Sequence, residues 1–406
     1  MRTFAFWKSA RPKISLKTTA LAVMLGEAMF SSPVSAVDLS ETVQLHGFAS
    51  QAYVSTTANR YFGPSDTGSF DFRELGVNLS WQAMPNLQFA AQVGSRKAGG
   101  TEANARPRFD YALVDFAFYN GVNSRGGVRI GRHRNPVGFY NLTRDVANTR
   151  PSIFLPESIY SDASRNLLLA LDGAQLYGES RTAVGDFFLD VGAGEVILDS
   201  ITKQSAKPAT SYVGRLLYER DGGRLRLALT AADANVAFFQ RPFADAKFNL
   251  KAYVLSAQYN EDRWSVTGEW VPELKSTLSG LWFPGLLPFI PPRILPDIKQ
   301  TGESYYLQGT YRISPDWETL LRYDVQYSDK SDKSGIRNAT ATTPAHRFFA
   351  KDWTVGLGWN VRSDTKIRAE YHRVDGTGWL SSRENPIPMN TKQRWDMFVL
   401  QASYNF

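Results

Sequence analysis

Between positions 129 and 157 the chain gathers Arg129, Arg132, Arg134, Arg144 and Arg150, with Asp145 and Glu157 among them. Guanidinium groups stay charged at any physiological pH and grip carboxylates and phosphates through a planar fork. Placed where a passage narrows between low-dielectric walls, such groups focus the field and draw anions. The chemistry on offer is the sorting of charged solutes at a constriction. A second set could line the same passage: Asp115, Arg215, Arg226, Glu269, Arg312, Arg322, Asp324, Arg368 and Glu370. The competing reading is that these charges pair with one another as scaffolding.

Catalysis is the rival class. An esterase or phospholipase needs a nucleophile, a base and an orienting group within reach. The chain has only His46, His133, His346 and His372, and no Gly-x-Ser-x-Gly elbow. His372 alternates with Glu370 and Arg368 along one polar face, which suits a channel wall better than a triad. Without cysteine there is no thiolate metal site and no disulfide. The sequence therefore predicts neither enzyme activity nor a cofactor or metal, and a barrel acting as an adhesin or structural sleeve remains a third class.

The arginines sit at the start of an unusual segment, residues 135–165. Pro136, Pro151 and Pro156 would interrupt a ladder, because proline has no N–H to donate. Yet Val137, Phe139, Tyr140, Leu142, Ile153, Phe154, Leu155, Ile159 and Tyr160 need cover. A long, basic, partly apolar loop must fold against something. We expect it inside a barrel lumen, narrowing it.

Period-two alternation recurs from Val43 to the last residue. Leu75, Val77, Leu79 and Trp81 share one face, with Glu74, Asn78 and Ser80 on the other; Ile367, Ala369 and Tyr371 likewise oppose Arg368, Glu370 and His372. Such runs are strands with one apolar and one wet face. Aromatics cluster near strand ends on the apolar face, among them Trp81, Tyr119, Trp264, Trp270, Trp317, Tyr327, Trp353, Trp359 and Tyr404. Two interfacial girdles would place them there. Short turns rich in Gly, Pro, Asn and Asp alternate with long loops, which implies about sixteen strands. The predicted fold class is all-β: a closed antiparallel transmembrane barrel with short periplasmic turns and long extracellular loops. Closure leaves no unpaired edge in lipid. Bulges are expected near Arg73 and Leu171, where the apolar phase slips.

Residues 1–36 read as a secretory signal: Arg2, Lys8, Arg11, Lys13 and Lys17, an apolar run broken by Glu27, then Val34-Ser35-Ala36. Residues 37–406 would form the barrel. Losing those five cations and Glu27 takes the net charge from +7 to +3, so nucleic-acid binding is not supported. The proline-rich loop 276–300 carries no distinct assignment.

The chain ends Phe398-Val-Leu-Gln-Ala-Ser-Tyr-Asn-Phe406, with Phe398, Leu400, Ala402, Tyr404 and Phe406 on one face. With the export segment and the long third loop, it resembles the Gram-negative outer-membrane porins. The arginine-rich loop start is similar to the phosphate-selective branch. The acidic third-loop motif of general porins is only partly echoed by Pro156-Glu-Ser-Ile-Tyr160. The resemblance implies an outer-membrane location, passive diffusion of small hydrophilic solutes with a mild anion preference, and contact with outer-membrane lipid. It also implies recognition of the strand ending in Phe406 by the barrel-assembly machinery, and leaves a homotrimer open as the assembly.

Overall fold

The computed structural model describes residues 37–100, 102, 104–198, 206–239, 246–283 and 293–406. The expected export segment and the centre of the proline-rich loop lie outside the described residues. Among the described residues, sixteen long strands close a ring. The first eight are β1 (Val43–Thr56), β2 (Ser69–Met84), β3 (Leu87–Ala98), β4 (Arg108–Asn120), β5 (Ser124–Arg134), β6 (Ala170–Thr182), β7 (Gly185–Val196) and β8 (Ala206–Arg220). The others are β9 (Leu225–Phe238), β10 (Lys247–Asn260), β11 (Trp264–Ser279), β12 (Ile298–Arg312), β13 (Trp317–Tyr327), β14 (Phe349–Asn360), β15 (Thr365–Gly376) and β16 (Arg394–Asn405). Each pairs antiparallel with its neighbours, and β16 pairs with β1 to finish the circle. A short arm, Val37–Ser40, adds to β1.

The seam is made by the chain ends. Gly47 N–H donates to the Phe406 carbonyl at 3.0 Å, and Phe406 N–H to that of Gly47 at 2.9 Å. The Phe406 ring occupies the space a Cβ at position 47 would need, so a larger residue there would displace that ring. Short reversals at 85–86, 121–123, 183–184, 221–224, 261–263, 313–316 and 361–364 alternate with long connections, the longest being 135–169.

Alternation decides which side faces lipid. On β2, Leu75, Val77, Leu79 and Trp81 are exposed outward, while Glu74 is buried inside. Trp264, Trp270, Trp317, Trp353 and Trp359 are likewise exposed on the outer face. Tyr327 shares that face but is covered by Val325 and Phe349, with the Lys333 ammonium 5.0 Å from its ring.

One sector reverses the pattern. Near the long-loop ends of β6 to β11, Leu171, Val196, Val213, Ala234, Leu250 and Val254 point inward into an apolar cluster. The same strands turn Asp172, Asp233, Asn235 and Lys251 outward. Charged groups on the outer wall belong above the hydrocarbon band. This reversal explains the apparent slip at Leu171, and the expected bulge there is corrected: both ladders of β6 run without a shift. Near Arg73 the irregularity lies a little higher, opposite 52–54, where Ser69 to Phe72 hold one residue too many. Phe72 faces in and Leu75 faces out, so they never share a face.

Candidate functional site: a lumen loop clamped by the wall

Residues 135–169 do fold into the ring. The loop is stepped by short turns, Asn141–Thr143 and Ala147–Thr149, and by one-turn helices, Glu157–Tyr160 and Arg165–Leu168. Pro151 stops the second of these from extending, and Pro156 starts the helix Glu157–Tyr160. A loop inside a barrel must satisfy its own backbone groups, and here the wall's charged side chains do so. Arg368 donates to the carbonyls of Ala147 at 2.8 Å and Arg150 at 2.6 Å. Arg322 donates to the Phe154 carbonyl at 2.9 Å and the Ser152 hydroxyl at 2.8 Å. Arg215 reaches the Gly138 carbonyl at 3.3 Å and pairs with Asp190 at 3.2 Å. From the loop, Ile153 N–H donates to Glu370 at 2.6 Å and Ser158 N–H to Asp324 at 3.4 Å. Glu269 accepts from Phe139 N–H at 3.0 Å, Tyr160 at 2.6 Å, Tyr306 at 2.8 Å and Ser256 at 2.6 Å.

The loop's own charges are also taken up. Arg150 forks onto Glu74 of β2, at 2.6 and 3.1 Å. Asp145 is gripped by Arg134 and Arg165. Burial pushes its pKa up, but those two guanidinium groups outweigh it and hold the carboxyl well below its usual range. Arg144, buried beside Arg165, donates to the Tyr160 carbonyl at 2.7 Å; burial and that like charge depress its pKa to about 9. Glu157 accepts from the Tyr61 hydroxyl and from Asp162 N–H, both at 2.9 Å. Burial and the neighbouring Asp162 raise its pKa to about 8.

The remaining residues named from the sequence fall on three surfaces. Arg129 lines the inner wall, held by Asp115 at 3.0 Å and Asp190 at 3.3 Å and stacked 4.2 Å from the Tyr177 ring. Arg226 pairs with Glu219 at 2.6 Å and lies 4.9 Å from the ring of the loop's Phe139. Arg312 is exposed beside the short turn, donating to the Asp262 carbonyl at 3.4 Å. Arg132 does not reach the lumen. It forks onto Asp172 at 2.7 and 2.8 Å on the outer wall, because position 132 shares the face of exposed Ile130.

Several members of the clamp were not singled out from sequence: Glu74, Tyr61, Arg96, Asp162 and Arg165. Arg96 bridges Asp162 at 2.7 Å and Glu102 at 2.9 Å. Glu74 and Arg96 sit on the wet face of their strands, a usable signal; nothing local marks the others. His372 pairs with Asp352 at 2.8 Å and lies 3.4 Å from Glu370, only 1% exposed. Thr354 shares the same ring nitrogen as Asp352, so no hydroxyl–imidazole–carboxylate relay forms there.

Open space remains on both sides of the loop. Toward the long-loop end, a cavity of about 390 Å³ is bounded below by Asp162 and Asn166. On the other side, a cavity of about 290 Å³ is lined by Arg150, Lys366, Arg368, Glu318 and Glu370, with Ser265 and Thr310.

No protein-family model matches the chain, and no curated protein matches it. Solved outer-membrane proteins share its fold. The trimer form of in-vitro folded OmpT, an outer-membrane protein of Vibrio cholerae, gives a TM-score of 0.55 at 11% identity, covering 90% of this chain and 99% of that one. Salmonella typhi OmpF, in complex with daunomycin, gives 0.55 at 13% identity, over 90% of this chain and 97% of that one. The chain thus has the closed sixteen-strand, porin-like fold of outer-membrane barrels.

Proposed function

We propose that the protein is an outer-membrane porin, exported by residues 1–36, that passes small hydrophilic solutes passively with a mild preference for anions. The observation that carries this reading is the loop held across the lumen with open space on both faces, polar on the short-turn side and part apolar, part polar on the long-loop side. On its short-turn side, Lys366 and Arg368 stand with Glu318 and Glu370, and Arg150 adds a cation whose partner, Glu74, lies outside the lining. Fixed charge in a narrow, low-dielectric passage biases which ion enters. The arginines near the loop contribute to this bias through that cavity; those clamping the backbone set its shape. A trimer, as in the OmpT structure, and delivery by the barrel-assembly machinery through Phe406 complete the proposal.

Planar-bilayer recordings test it. Purified protein should give steps of ionic current, and a salt gradient should give a reversal potential on the anion-selective side. Lys366→Gln should move that potential toward zero. No current would overturn the pore, and cation selectivity would overturn the anion preference. Turnover of esters or phospholipids by the purified protein would instead favour a hydrolase.

A further inference from the structure

The cavity on the long-loop side has two unlike walls. Leu198, Val236, Phe238 and Phe248 from the β7 to β10 sector make one side apolar, with Leu167 of the loop beneath. Opposite stand Gln326, Arg347 and Trp379. The apolar side continues the cluster that packs the loop against the wall, and here it is left facing open space.

Arg347 is the informative residue. Its Nη1 donates to the carbonyls of Thr377 at 2.7 Å and Gly378 at 3.3 Å. No carboxylate pairs with it among the described residues, unlike Arg134, Arg150 or Arg165. Burial alone lowers its pKa, with no charged neighbour contributing. The fixed Nη1 leaves the Nε and Nη2 edge without a protein partner. That edge is the one that takes a carboxylate bidentately. Two further polar atoms of the lining residues, the Trp379 Nε1–H and the Gln326 side-chain carbonyl, are fully buried and have no hydrogen-bond partner among the described residues. Asp162 makes its ion pair with Arg96, at 2.7 Å, and none with Arg347.

We propose that this cavity is a binding subsite for monocarboxylates that carry an apolar body, of the size of an arylacetate. The carboxylate meets the free edge of Arg347, and the body lies against Phe238, Phe248 and Val236. A volume of about 390 Å³ holds such a molecule with room for water. The inference rests on the porin reading only in making the bound molecule a solute on its way through.

Calorimetric titration of the full chain in detergent tests the site without requiring current. Phenylacetate should bind saturably, and at least about ten times more tightly than acetate, which lacks the body, or 2-phenylethanol, which lacks the charge. Arg347→Gln should weaken phenylacetate binding about ten- to a hundred-fold and leave 2-phenylethanol unchanged, the range for losing a charge-assisted hydrogen-bond pair. Should that variant lose its β-sheet circular dichroism, Phe248→Ala serves: it should weaken phenylacetate and spare acetate. Equal affinity for phenylacetate and acetate, or parental phenylacetate affinity in folded Arg347→Gln or Phe248→Ala, overturns the subsite. Bilayer current without saturable phenylacetate binding also overturns it. Phenylacetate binding without current supports the subsite while removing the pore.

Discussion

On one side of the lumen, Glu74, Arg322, Arg368 and Glu370 hold loop residues 147–154 through ions and backbone hydrogen bonds. On the other, Leu171, Val213, Leu250 and Val254 hold Val137, Leu155, Ile159 and Leu168 by packing. Burial of apolar surface is strong but indifferent to direction. Charge-assisted bonds are short and directional. The packed side, where Arg215, Thr230 and Glu269 also bond the backbone at Gly138 and Phe139, supplies most of the adhesion, whereas the charged side fixes the height and tilt at which residues 147–154 cross. Passage cross-section should accordingly depend on the charged side, and loop retention on both.

Glu74→Ala should have the largest effect, because Arg150 has no other carboxylate partner among the described residues. Stranding a buried guanidinium costs about 3–5 kcal/mol. The midpoint for denaturant unfolding in micelles should fall, and single-channel conductance should rise as residues 147–154 lose their hold. Leu171→Ala should cost roughly 3 kcal/mol through lost burial and the cavity it leaves. Its conductance should stay that of the parent, since every side-chain bond that positions the loop is kept. If the two variants widen the channel equally, the division of labour between the walls is wrong.

A smaller effect separates the loop's ionisable core from the packed side by pH. Glu157 has a folded-state pKa near 8, against about 4.5 when unfolded. Its contribution is therefore fully present below pH 4.5 and is lost progressively as pH rises toward 8. Stability should decline across that window by at most about 1.4 kcal/mol per pH unit from this group. Glu157→Gln cannot ionise and should flatten the slope, while Leu171→Ala should keep it. An unchanged slope in Glu157→Gln would assign the dependence to another group.

Much of this was legible in the sequence. Alternation with short and long connections implied a closed barrel of about sixteen strands, and the prolines and buried-type residues of 135–165 implied a loop seeking cover. What the sequence hid is how the wall meets the loop. Glu370 and Arg368 read as lining for solute; both border the cavity on the short-turn side, but both are also bonded to loop backbone, and a backbone donor or acceptor leaves no trace in residue type. The apolar inner sector was hidden for a related reason. Period-two patterns report two faces but not which one is inside, and near Leu171 the identity of the greasy face changes without any break in the ladder.

Arg132 shows the same limit and supplies the smallest expected effect. By type and spacing it belongs with Arg134 and Arg144, but it pairs with Asp172 on the outer wall, where Asp172 is about half exposed. Exposed pairs contribute only about 0–1 kcal/mol. Arg132→Ala should leave reversal potential, conductance and pH dependence at parental values and shift the unfolding midpoint barely at all. A change in reversal potential comparable with that of Lys366→Gln would mean that this face of β5 and β6 touches the ion path. The reversed sector would then have to be turned inside out, and the contrast between packed and charged walls would go with it.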